Sequence, residues 1–99
     1  MKLQQLQEAG YANKSEHIDR IISAVHKARE INNETSVTLP ISSSEAIRIL
    51  QDSLGPEDWD STDFGDKAFW VVEGIKIQVW GTTDPRLKQT EVYCYPSWS

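Results

Sequence analysis

Between Glu57 and Asp66, ten consecutive residues hold five carboxylates (Glu57, Asp58, Asp60, Asp63 and Asp66) and no base, with Trp59 and Phe64 set among them. Such a cluster could ligate calcium, meet a basic partner, or simply be solvated. A twelve-residue calcium loop started at Asp58 finds Asp60 at its third position. It also puts Asp63 where the sharp turn needs glycine and Phe69 where a bidentate Glu is required. No metal site is expected. A protein interface suits the composition better, because buried aromatic anchors supply a desolvated contact while carboxylates steer a basic surface toward it. The plain alternative is a solvated acidic loop between a helix and a strand, with Trp59 and Phe64 folded back onto the core.

Cys94 is the sole cysteine. A nucleophilic role would need a low thiol pKa and a base nearby, yet the residue stands between Tyr93 and Tyr95 in an apolar run without a glycine elbow. Strand alternation groups it with Val92 and against the two tyrosines, so a packed thiol is expected. His17 and His26 lie nine residues apart. On one helix that is a rotation of about 180°, so they cannot share a metal, and His26, four residues beyond Ile22, is expected to be packed or capped. No Gly-rich phosphate loop, Ser-His-Asp order, Cys-x-x-Cys or His-Glu-x-x-His occurs. The expectation is therefore no catalytic residue and no cofactor.

The elements that would position these residues are legible. Ile18, Ile21, Ile22 and Val25 form one stripe at helical spacing, widened by Ala24 and Ala28. Asn13 with Glu16 resembles a capping box and Asn32-Asn33 a left-handed stop, which predicts a helix over 14–31. Leu3, Leu6 and Ala9 could add a short turn before it, within a loosely ordered segment over 1–12. Ser36 to Ile41 alternates with period two and carries Pro40, the mark of an edge strand. Ser42 and Glu45 form a second capping box ahead of Ile47, Leu50 and Leu54, and Gly55-Pro56 ends that helix. Lys67–Val72 and Ile75–Trp80, joined by Glu73-Gly74, predict a hairpin. Alternation sets Trp80 opposite Ile75, Ile77 and Val79, and cross-hairpin pairing is expected to place Trp70 beside Trp80 on a covered surface. Gly81 to Pro85 reads as a loop and Thr90 to Tyr95 as a final strand, with the aromatic C-terminus docked on the fold. The order α-β-α-β-β-β implies an α+β domain over 1–99, a mostly antiparallel sheet with two helices packed on one face.

Composition narrows function by exclusion. Nine Ile, six Leu, six Val and two Phe make 23 of 99 residues, enough for a core. Ten Lys and Arg against fifteen Asp and Glu give a net charge of -5, which disfavours direct nucleic-acid binding. No stretch approaches a membrane span and the start lacks a signal-peptide core, so a soluble protein of a reducing compartment, the cytoplasm, is expected. The best reading is a small acidic protein–protein interaction module, the form of inhibitors, immunity proteins and phage-encoded anti-defence proteins, binding a basic, nucleic-acid-binding surface of a protein partner. Its contact residues would be Glu57, Asp58, Trp59, Asp60, Asp63, Phe64, Asp66, Trp70 and Trp80. The alternatives are a small enzyme or ligand-binding domain with a pocket between sheet and helices, using Cys94, His26 or a tyrosine, and a homo-oligomer subunit, a homodimer included, built on Trp70 and Trp80.

Overall fold

The computed structural model describes residues 16–81 and 88–97 together with Gln4, Gln7 and Glu8. The expected cap at Asn13, the turn around Leu3 to Ala9, the loop beyond Gly81 and the docking of Trp98 lie outside the described residues. Helix α1, Glu16–Ile31, turns Ile18, Ile21, Ala24, Val25 and Ala28 inward as one stripe. It stops at Asn32, whose φ of 52° is the left-handed conformation that asparagine tolerates. The chain then reverses into β1, Thr35–Leu39, and the Thr35 hydroxyl donates to the Ala24 carbonyl at 2.9 Å, tying strand to helix.

Helix α2, Ser43–Leu54, starts as its sequence implies: the Ser42 hydroxyl accepts from the Glu45 amide at 3.2 Å. It ends at Gly55, where φ is 90° and the amide donates to Gln51 O. Four consecutive strands follow as a meander: β2 Asp58–Thr62, β3 Gly65–Val72, β4 Ile75–Trp80 and β5 Thr90–Pro96. Glu73 and Gly74, with φ of 48° and 82°, make the two-residue turn between β3 and β4. β1 returns to pair with β5, so the sheet runs β1-β5-β4-β3-β2 with every pair antiparallel. The α+β architecture with both helices on one face is as expected.

Four strands supply the covered face: Leu39 of β1; Ala68, Trp70 and Val72 of β3; Ile75, Ile77 and Val79 of β4; and Val92 and Cys94 of β5. These meet Ile18, Ile21, Val25 and Ala28 of α1 and Ala46, Leu50 and Leu54 of α2 in one continuous core. No helix among the described residues is long and apolar enough to cross a membrane.

Two sequence expectations are corrected here. The acidic segment is a strand and a hairpin tip instead of a loop. Asp58 to Thr62 pair residue for residue with Phe69 to Gly65, because β3 offers an unpaired edge and Trp59 can lie against Ala68. Trp70 is not beside Trp80. The tight Glu73-Gly74 turn sets Val72 opposite Ile75, which forces Trp70 opposite Ile77 and Trp80 opposite Lys67. Trp70 is therefore core, 1% exposed, and its indole Nε1 donates to the Gly55 carbonyl at 3.0 Å, locking the end of α2 onto the sheet.

Candidate functional site

The candidate site has two parts, the β2–β3 hairpin and the sheet face that the helices leave open. Residues directly opposite one another share a face, so the β2–β3 register sorts the acidic segment. Asp58 and Asp60, opposite Phe69 and Lys67, stand on the open face. Trp59, opposite buried Ala68, stands on the helix side. The tip is closed by Thr62, whose hydroxyl donates to Gly65 O at 2.7 Å and accepts from the Phe64 amide at 3.2 Å. Phe64 projects from this tip and is 91% exposed.

Trp59 is half exposed, at 49%. Its ring spans small Ala68 and reaches Gly81: a Cβ on Gly81 would lie 2.7 Å from Trp59 Cζ3 and 3.1 Å from the Asp66 carbonyl oxygen. Gly81 is needed there as a close approach, and its amide donates to that same Asp66 oxygen at 2.8 Å.

The five carboxylates have different occupations. Asp60 accepts from Lys76 Nζ at 2.6 Å and from Gln78 Nε2 at 2.9 Å, fastening the edge strand to β4 across β3. Burial pulls the Lys76 ammonium pKa down, but the Asp60 hydrogen bond, with smaller contributions from Tyr95 and the Asp60 charge, outweighs it and leaves the pKa raised. Glu57 accepts from Gln51 Nε2 at 2.6 Å, and that bond, first among its causes, lowers its pKa. Asp58, Asp63 and Asp66 are exposed and make no ion pair among the described residues.

The open face is paved with rings and lysines. Lys67 Nζ lies 4.5 Å from the Trp80 ring centre and 5.7 Å from that of Tyr93. Lys76 Nζ lies 4.1 Å from Phe69 and 5.9 Å from Tyr95. Each cation rests on a ring face, whose quadrupole attracts it, while its stem covers apolar carbon. This explains how Phe69, Trp80, Tyr93 and Tyr95 are half-buried with no element of the described structure packed over them. Sequence reasoning named Trp80 here and set Tyr93 and Tyr95 opposite Cys94, but it did not single out Phe69, the tyrosines or the two lysines as site residues. The Tyr93 hydroxyl donates to Glu91 Oε2 at 2.6 Å, and this bond, followed by burial, raises its pKa.

The remaining candidates do not converge. Cys94 is buried on the helix side with Val92, as alternation implies, and burial pushes its thiol up to about 12, so it is protonated at neutral pH. His26 is exposed instead of packed, one position round the helix from buried Val25. His17 is half-buried, and its Nδ1 has no partner among the described residues. No three His, Cys, Asp or Glu side chains among the described residues gather as a metal cage would need. In comparison with known proteins, the chain matches no family model, no curated protein and no solved structure.

Proposed function

We propose that the protein is a protein–protein interaction module whose β2–β3 hairpin docks on a basic surface of a partner. One observation carries this reading: among the described residues the two most exposed aromatic side chains, Phe64 and Trp59, stand on one hairpin beside three exposed carboxylates, Asp58, Asp63 and Asp66, that are not engaged elsewhere. An apolar ring held in water at a hairpin tip is unfavourable for a lone domain. Burying a Phe side chain contributes roughly 1.5–3 kcal/mol, the scale of an interface anchor. The carboxylates around it would set approach and register, with an attraction that salt screens. A basic groove that otherwise holds nucleic acid is a suitable target, since carboxylates can stand where phosphates would.

The test is capture of a host protein on immobilised chain, wild type against Phe64→Ser and Asp63→Lys, followed by titration of any captured protein at low and high salt. Phe64 is almost fully solvated, so its replacement leaves the fold alone. A basic protein retained by wild type, lost with either variant and released by salt supports the reading. Equal retention by all three baits, or an affinity indifferent to salt, refutes it.

A further inference from the structure

The two edges of the sheet are defended differently. β2 carries Asp58 and Asp60, and charges along an edge discourage a further strand. β1 reads Thr35-Ser36-Val37-Thr38-Leu39, with no charge and no bulge in its register with β5, its only strand neighbour among the described residues. Beside β1 runs an open groove of about 600 Å³ between it and α1. The groove is lined by Val37 and by Ile31, which is 48% exposed, together with Asp19, Glu34, Arg20 and Lys27. Two acids and two bases make it neutral in a chain of net charge -5. A patch that meets its own copy across a two-fold axis must carry both signs or neither, because its charges face charges drawn from the same patch.

We infer that this edge is an isologous dimer interface. The β1 strand of a second copy adds antiparallel to β1, continuing the sheet, and the two α1 helices meet over the junction. α1 packs over β1 and β5 and also reaches β4, so its axis lies at least half a strand spacing inside β1, and the two-fold lies about half a spacing outside it. With strands about 4.8 Å apart, the two α1 axes come no closer than about 10 Å, the upper end of ordinary helix packing, so long side chains such as Arg20, Lys27 and Ile31 make the contact. Pairing across the axis sets the hydroxyls of Ser36 and Thr38 against their counterparts, a favourable cross-strand combination, and Pro40, lacking an amide hydrogen, ends the ladder. Ile31 is covered, and the β2–β3 hairpins lie at the two far ends, so the inference is independent of the hairpin's proposed role.

The experiment is sedimentation equilibrium of the full chain from micromolar to millimolar concentration, with deuterium exchange of β1 in parallel. One variant, Arg20→Glu with Lys27→Glu, makes the groove wholly acidic; another, Asp19→Lys with Glu34→Lys, makes it wholly basic. All four positions are exposed, and circular dichroism confirms folding. The expected result is a mass rising from 11.3 kDa to twice that value for wild type, with exchange at Thr35–Leu39 slowing as the dimer forms. Each variant alone stays a monomer, and an equimolar mixture of the two recovers the dimer. A wild type that is monomeric throughout overturns the inference. So does a dimer that survives in either variant, a dimer that leaves β1 exchange unchanged, or a mixture that fails to associate.

Discussion

Asp60 and Asp58 sit two residues apart on one strand and one face, yet only Asp60 is held by other side chains, and replacing each in turn separates stability from the proposed recognition. Asp60 receives Lys76 and Gln78 at 2.6 and 2.9 Å, with the Lys76 side chain 19% and the Asp60 side chain 39% exposed. A hydrogen bond to a charged group contributes about 1.5–3 kcal/mol when fully buried, whereas an exposed ion pair contributes about 0–1. Asp60 is more than a third exposed, so solvent screening brings the Asp60–Lys76 coupling down to about 1 kcal/mol. Asp60→Asn keeps an acceptor for Gln78 and loses that coupling; Asp60→Ala also strands the buried Gln78 amide and costs about 2 kcal/mol. For a domain of this size, 1 kcal/mol corresponds to a fall in Tm of about 4–8 °C. The assay is urea unfolding of wild type, Asp60→Asn, Lys76→Met and the double variant, which isolates the pair as the non-additive part. Asp58→Asn is the control, expected to leave stability within about 0.5 kcal/mol. A coupling near zero, or equal losses for Asp58→Asn and Asp60→Asn, would refute the reasoning.

Three further predictions rest on the core and its margins. The Cys94 thiol, at about 12 in the fold against an ordinary 9.0, favours the folded state while protonated. That contribution is complete below pH 9 and is lost as pH rises toward 12, on the order of 4 kcal/mol in all. Denaturant midpoints against pH should therefore fall steeply above pH 9 for wild type and flatten in Cys94→Ala, and a wild-type profile as flat as the variant's would count against a buried thiol. Trp70→Phe removes the indole donor to Gly55 O and leaves a void against α2, an expected loss of about 2–4 kcal/mol by thermal unfolding; a change under 1 kcal/mol would show that the bond and its packing matter little. Gly81→Ala drives a methyl into the Trp59 ring, so the ring should swing into water, red-shifting part of the tryptophan fluorescence at a cost of about 1–2 kcal/mol. That cost should shrink in a Trp59→Ala background, and an undiminished cost would assign it to the Asp66 carbonyl instead.

The helices, their stops and the β3–β4 turn were legible because each rests on local chemistry: a stripe of isoleucines, a serine hydroxyl over an amide, a Glu-Gly pair at positive φ. Cys94 was legible for the same reason, since alternation alone assigns its face. Trp70 was misplaced although the information was present. With Glu73-Gly74 as the turn, opposite residues are fixed by counting outward, and Trp70 falls against Ile77 and not Trp80. β2 was less accessible. Asp58-Trp59-Asp60-Ser61-Thr62 has little intrinsic preference for a strand, and what holds it is non-local: an open edge on β3, a lysine sixteen residues away and a glutamine eighteen residues away. Tertiary partners overrode propensity there, and composition could not reveal them.

The same distinction changes what the acidic segment implies about a partner. Counted in sequence, five carboxylates would face the proposed basic surface. Counted in the structure, Glu57 is held by Gln51 and Asp60 by Lys76 and Gln78, which leaves Asp58, Asp63 and Asp66 to act outward. Alternation divides even these, with Asp58 on the open face, Asp66 opposite Ser61 on the other and Asp63 at the tip beside Phe64. No single flat surface meets all three, so a partner that engages them must enclose the hairpin, as a cleft encloses a finger. The salt dependence of binding should then be set by the three charges around Phe64. Charge-neutralising substitutions at Asp58, Asp63 and Asp66 should each lower the slope of log affinity against log salt by more than Glu57→Gln does, since the Glu57 carboxylate keeps its charge but is turned to Gln51. If Glu57→Gln lowers that slope as much as Asp63→Asn does, the partner reads the segment as an acidic stretch and not as the folded hairpin.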